Sequence, residues 1–264
     1  MKLTIAVGTK NWSSWSLRGW LPVRASGLAF EEHYVRLRHD DTEDEVKKVS
    51  PSGLVPLLTV EEGGRRHQIW DSLAIAEFMA EIAPAAGLWP EGRMARAKAR
   101  AVAAEMHSGF APLRQQFAME FARHMPGQTP SEGTARAITR IVAVWEECLA
   151  ASGGPYLFGE SFGNADFFYA PVVSRFHSYD VALSGAAKAY ADRVWHHPFM
   201  REWLKAAAQE VADGRPSRAV SSRISLPLGW PESSRPRLSG WKRARTMAKT
   251  RSLERMTISS TRPP

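Results

Sequence analysis

The hydrophobic pattern of this chain changes character once, and that change constrains the fold more than any other feature. Up to residue 83 the apolar residues come in short runs of strand length, broken by Gly, Pro, Asp and Ser. From Glu91 to about residue 211 they recur at helical spacing through stretches rich in Ala, Arg, Met and Glu with few breakers. A pure helical bundle does not fit the first part, and a sheet does not fit the second. A chain of 264 residues suits one large domain or two ordinary ones, each able to bury its own core.

Within the first part, residues 3–7 read as a strand and residues 15–25 as a helix, with Leu17, Trp20, Leu21 and Arg24 near helical spacing and Gly27 beyond its end. Residues 30–37 read as a second strand and 40–48 as a short exposed helix. Residues 55–60 and 67–70 resemble strands joined at Gly63-Gly64. Asp71-Ser72 then caps a helix that carries Ile75, Met79 and Ile82 on one face. Strand, helix, strand, hairpin, helix is the outline of a thioredoxin-like domain. After Pro84 the pattern predicts a long helix over 91–123, bent near Pro112, and further helices over 131–151, 164–181 and 198–211. The expected organisation is an α+β thioredoxin-like domain over 1–83, an all-α domain over 84–214 and a tail over 215–264.

The formal charge of +8 invites a nucleic-acid reading, but its placement argues against one for the body of the chain. Residues 215–264 hold twelve of the 35 Lys/Arg and two of the 27 Asp/Glu, which leaves the rest of the chain at −2. The tail, rich in Arg, Ser and Pro without a clear period, is expected to be mostly disordered. No apolar run reaches the ~18 residues of a membrane span, and the opening residues lack the apolar stretch of a secretory signal. The single cysteine, Cys148, excludes an internal disulfide and fits a reducing, cytoplasmic setting. Neither a P-loop nor a dinucleotide fingerprint is present. His196-His197 lacks a matching ligand cluster, so no metal site is expected.

Five stretches, in order, carry a resemblance to glutathione transferases. Residues 11–18 (NWSSWSLR) resemble the serine-bearing first loop of bacterial and zeta-like members, and residues 50–57 (SPSGLVPL) the loop before a cis-proline. Residues 71–75 (DSLAI) are similar to the acid-serine helix start. Residues 104–110 (AEMHSGF) resemble the first helix of the C-terminal domain in one bacterial subgroup. Residues 163–166 (GNAD), followed by 169–171 (YAP), resemble the folding motif.

The resemblance implies that glutathione is the co-substrate and that Ser13, with Ser14 second, donates a hydroxyl to its thiolate. It implies that Trp15, Val55, Pro56, Asp71 and Ser72 bind the tripeptide. Chemistry asks for such groups. A free thiol near pKa ~8.5 is mostly protonated at neutral pH, and lowering it by about two units requires roughly 2.7 kcal/mol of preferential anion stabilisation. A hydroxyl and a helix N-terminus can share that task. Either serine can equally be no more than an N-cap. A cis Val55-Pro56 bond turns the Val55 backbone outward for the cysteinyl part. The start of the Asp71-Ser72 helix offers N–H groups to the γ-glutamyl carboxylate, while Asp71 meets the ammonium.

Trp12, Met106, Phe110 and Arg114, with Phe117, form a stripe and aromatic wall suited either to core or to a pocket for a small hydrophobic electrophile. The family also implies a homodimer and allows peroxide reduction as an alternative reaction. Three positions depart from its pattern. Leu54 stands where Lys or Gln often grips the glycine carboxylate, with Arg18, Lys48 and Arg66 as candidate substitutes. Trp15 stands where zeta isomerases carry cysteine, against maleylacetoacetate isomerisation. Gly163 replaces a Ser/Thr N-cap and leaves Asp166 to satisfy the amides. The competing reading is a non-catalytic assembly module whose basic tail contacts RNA or acidic partners.

Overall fold

The computed structural model describes residues 1–213, so the expected disorder of the tail lies outside the described residues. Strand β1 (Lys2–Gly8) leads through α1 (Ser14–Ala25) to β2 (Glu31–Val35) and α2 (Thr42–Val49). The hairpin β3 (Leu57–Glu62) and β4 (Arg65–Ile69) and then α3 (Ser72–Ile82) follow. The sheet runs β2-β1-β3-β4. β1 and β2 are parallel, as a helical crossover requires, with Thr4 opposite Glu31 and Gly8 opposite Val35. β3 pairs antiparallel with both β1 and β4. The inner strand β1 buries Leu3, Ile5, Ala6 and Val7, whereas edge strand β2 leaves Glu31, Glu32 and His33 exposed.

A 3-10 turn (Pro84–Ala86) and an irregular stretch lead to α4 (Arg93–Ser108), α5 (Ala111–Gln116), α6 (Glu132–Ser152), α7 (Asn164–Ser178), α8 (Gly185–His196) and α9 (Pro198–Ala212). The architecture is a thioredoxin-like part followed by an all-helical part. α7 is buried on nearly every face, as a central helix must be. It packs against α1, α4 and α8, so the sheet-bearing and helical parts share one continuous core.

The single helix expected over 91–123 is instead two. Gly109 ends α4 in an extended conformation, and a Cβ there would lie 2.6 Å from the Glu105 carbonyl oxygen. Phe110 follows with φ 61°, so the break falls there and not at Pro112. Pro112 sits in the first turn of α5, where its missing N–H costs nothing. Residues beyond Gln116 leave the helix and bury Phe117, Met119 and Phe121. The helix expected over 164–181 stops at Ser178, and α8 has no counterpart in the sequence reading.

Candidate functional site

The loop between β1 and α1 is built to be rigid. Asn11 Nδ2 donates to Glu120 at 2.8 Å, while its own carbonyl and side-chain oxygens accept from Phe121 N (2.8 Å) and Ala122 N (2.9 Å). Glu210, near the end of α9, accepts the consecutive backbone N–H groups of Lys10 (2.8 Å) and Asn11 (2.9 Å). Trp203 Nε1 donates to the Lys10 carbonyl at 2.9 Å. Residues some two hundred positions away therefore set the loop that carries the two serines.

Ser13 is the N-cap of α1: its Oγ accepts from Ser16 N at 3.3 Å and donates to Ser16 Oγ at 2.8 Å. Ser16 Oγ in turn accepts from Gly8 N at 2.9 Å. A chain of hydrogen bonds thus joins the end of β1 to the start of α1 through Ser16, a residue the sequence reading passed over. Ser14 is also buried, and its hydroxyl makes no hydrogen bond among the described residues.

The Val55-Pro56 peptide bond is cis. Gly19 faces the proline ring so closely that a Cβ there would sit 2.6 Å from Pro56 Cγ, which seats this loop against α1. The N–H and C=O of Val55 have no partner among the described residues, so an extended peptide can pair with them. Leu54 is exposed. Of its candidate substitutes, Arg18 is displaced: it is fully buried, its Nε donating to the Phe168 carbonyl at 3.0 Å. Lys48 pairs with Glu45 on the exposed face of α2.

Asp71 is the N-cap of α3 and accepts from Leu73 N at 2.9 Å. Its other oxygen lies 3.0 Å from His107 Nε2, at the end of α4. The hydrogen bond from His107 is the main cause holding the Asp71 carboxyl below the usual range. Ser72 is fully buried, and its hydroxyl has no partner among the described residues.

Trp15 is partly exposed and draws charged groups around it. The guanidinium of Arg18 lies 5.0 Å from its ring and that of Arg114 4.8 Å. His107 meets it edge-on at 5.1 Å. Arg114 Nη2 donates to the carbonyls of Met106 and His107, closing the end of α4. Burial, and then neighbouring Arg114, disfavours the charge on Arg18. Of the expected pocket residues, Arg114 and half-buried Phe110 lie at the α4–α5 break, whereas Met106 is entirely in the core. Phe117 is core too, stacked on Tyr179 at 4.5 Å. Trp12 is buried beneath the Arg38 guanidinium at 4.5 Å. His107 and Ser16 went unnoticed because each acquires its role only through a tertiary contact. The one available signal for His107 was its place in the AEMHSGF stretch.

Three features lie apart from this centre. Asp166 accepts from Leu157 N and Gly163 N, both at 3.0 Å, which secures the start of α7. His197 caps α9 through Phe199 N. Cys148 is buried, and its desolvated thiol is pushed up to about 11. Among the described residues no helix is long and apolar enough to cross a membrane, and no three metal-ligating side chains gather.

A family model described as the glutathione S-transferase N-terminal domain matches residues 12–82, and one described as the C-terminal domain matches residues 96–206. The chain is 23% identical over 171 residues to a probable maleylacetoacetate isomerase of Caenorhabditis elegans, covering 65% of this chain and 77% of that protein. It is 29% identical over 137 residues to a probable maleylacetoacetate isomerase 2 of Drosophila melanogaster, covering 51% and 57%. Among solved structures, a glutathione transferase homolog from Burkholderia with bound glutathione superposes with a TM-score of 0.60 at 23% identity, covering 79% of this chain and all (100%) of that one. A maleylacetoacetate isomerase from Anaeromyxobacter dehalogenans, with bound dicarboxyethyl glutathione and citrate, gives 0.57 at 23% identity, covering 84% and 97%. At such identities the solved structures speak for the fold.

Proposed function

The chain belongs to the glutathione S-transferase family, enzymes that use glutathione as co-substrate, and we propose that it conjugates the glutathione thiolate to a small electrophile. The observation that carries this reading is the set of groups assembled around α1. These are the Ser13 hydroxyl at its N-terminus, the Val55 backbone, without a partner among the described residues and followed by the Pro56 ring seated against Gly19, and the Asp71–Ser72 helix start. Val55 pairs with the cysteinyl residue, the α3 N-terminus holds the γ-glutamyl carboxylate, and Asp71 meets the ammonium.

In the reaction the Ser13 O–H turns from Ser16 toward the sulfur, and Ser16 donates back to Ser13 Oγ. Ser13 Oγ keeps accepting the Ser16 N–H, so α1 remains capped. The thiol proton leaves to solvent, the sulfur lone pair forms the new C–S bond, and the leaving group departs with its electron pair. Trp15 and Arg114 border the second-substrate space next to Ser13, with Phe110 at its edge. The relatives named maleylacetoacetate isomerase make isomerisation the natural competitor. Trp15 stands where zeta isomerases carry cysteine, which favours conjugation. A homodimer is part of the proposal, since Trp70, Leu54 and Met94 leave large apolar side chains in water.

Calorimetric titration with glutathione, followed by conjugation of an aryl halide, tests the reading. Saturable binding with turnover is expected. The bound thiol should ionise below the free value, read from thiolate absorbance, and Ser13→Ala should raise it. No binding at millimolar glutathione would overturn the assignment.

A further inference from the structure

One residue that links the two parts of the molecule at this site, His107, has no role expected from the sequence. His107 occupies the last turn of α4, and it is held from four sides. Trp15 meets its ring edge-on at 5.1 Å, and Phe168 lies 5.8 Å away. Arg114 Nη2 binds its carbonyl oxygen at 2.9 Å. The fourth contact is functional in character: Nε2 lies 3.0 Å from Asp71 Oδ2. Among the described residues its buried Nδ1 meets neither donor nor acceptor, and the ring's polar contact there is to Asp71.

We propose that His107 is a positioning residue for glutathione, supplied by the helical part, which fixes the Asp71 carboxylate to receive the ligand's α-ammonium. This rests on the glutathione-binding reading given above and goes beyond it by assigning the group that prepares Asp71. A capping aspartate alone has one oxygen tied to the helix and the other free to rotate or to pick up a proton. Here Oδ1 accepts from Leu73 N at 2.9 Å while Oδ2 accepts from His107. Both oxygens are therefore fixed in direction, and the lone pairs left over belong to a side chain that is 53% exposed. They face water, where an ammonium can reach them. A carboxylate held in place beforehand loses less freedom when the ligand arrives, and that difference appears as affinity. The contact reaches across from α4 to the start of α3, so the helical part acts on the tripeptide site and not only on the second substrate.

The test compares glutathione with glutaryl-cysteinylglycine, the same tripeptide without its α-ammonium, by calorimetry on the full-length protein, His107→Ala and His107→Gln. The native protein should bind glutathione about tenfold more tightly than the analogue, as expected for one charge-assisted contact. His107→Ala should reduce that preference to about threefold or less, through weaker glutathione binding alone. His107→Gln places an amide N–H near the Nε2 position and should restore most of it. An equal loss for both ligands would mark His107 as merely structural and overturn the proposal. So would a preference unchanged in His107→Ala, or native protein that binds both ligands equally. Failure of the native protein to bind either ligand would instead overturn the glutathione reading itself.

Discussion

A serine at a helix start does one thing for the fold and another for a thiolate, and in the proposed reaction Ser13 does both. Its oxygen accepts the Ser16 N–H while its proton, now aimed at Ser16 Oγ, is the one that can turn to the sulfur. Ser16 stands behind it, supplied in turn by Gly8 N–H. Chained hydroxyls polarise one another, so loss of the inner one weakens the outer. Ser13→Ala should lower kcat/KM by about a hundredfold, the worth of a hydrogen bond to a charged group, and remove about 1 kcal/mol of stability through the lost cap. Ser16→Ala should lower kcat/KM by about tenfold and raise the ionisation pH of bound glutathione by part of the Ser13→Ala shift. The chain of serines is wrong if Ser16→Ala lowers the melting temperature and leaves that ionisation untouched. At this scale the sequence was half informative. The pair Ser13-Ser14 could be picked out because helix starts and hydroxyls are local facts. Ser16 and His107 could not, since their partners Gly8 and Asp71 lie eight and thirty-six positions away in the chain.

Among the elements, the α7 and α9 termini carry opposite pH dependences that a measurement can separate. His197 accepts from Phe199 N and lies against Phe162 at 4.2 Å, and burial pulls its ionisation down to about 4. A histidine lowered on folding binds fewer protons folded than unfolded, so its contribution is complete above about 6.5 and is lost as the pH falls toward 4. Asp166 is pushed up to about 6 by burial, against the amides of Gly163 and Leu157 that favour its charge. An aspartate raised on folding contributes most below its unfolded value and progressively less as the pH rises through 6. The Asp166 contribution amounts to at most about 3 kcal/mol, and that of half-exposed His197 is smaller than its shift implies because solvent screens it. The stability advantage of the native protein over His197→Asn should therefore shrink between pH 6.5 and 4, asparagine being a competent cap at any pH. Its advantage over Asp166→Asn should grow over the same fall. Denaturant unfolding at a series of pH values reads both, and parallel profiles for all three proteins would refute the assignment. Elements were the most legible scale. Strand and helix periods located β1 to α3 to within a few residues because each buries one regular face. The α4–α5 break escaped because Gly109 and Phe110 lie inside an otherwise continuous helical pattern. Only the left-handed φ of Phe110 and the close Glu105 carbonyl reveal it.

Over the whole molecule, the first loop and the last described helix are joined as one structural unit, although most of the described residues lie between them. Glu210 is 5% exposed, yet its carboxylate caps two consecutive N–H groups of the loop that leads to Ser13. Trp203, fully buried two turns earlier in α9, lies tilted against Trp20 of α1 at 5.3 Å and binds the Lys10 carbonyl. Asn11 fixes the same loop to residues 120–122. The helical part therefore helps to set the loop that carries Ser13, from two directions, alongside the contacts that Gly8, Thr9 and Ser16 make within the thioredoxin-like part. No reading of periodicity could have found this, because a glutamate near the end of an amphipathic helix looks like any solvated charge until the chain has folded around it. Removing the carboxylate leaves two loop N–H groups without an acceptor, at a cost of about 2–4 kcal/mol. Glu210→Gln retains one acceptor oxygen, and Glu210→Ala none. Both variants should lose conjugation activity in that order. Glutathione affinity should fall less than turnover, because Val55 and the α3 start do not depend on Glu210. Comparing Glu210→Ala with Glu202→Ala, whose carboxylate pairs with Arg24 on the exposed side of α9, separates loop positioning from general loosening of the helix. Equal losses of activity in the two variants would mean that α9 supports the fold without setting the loop.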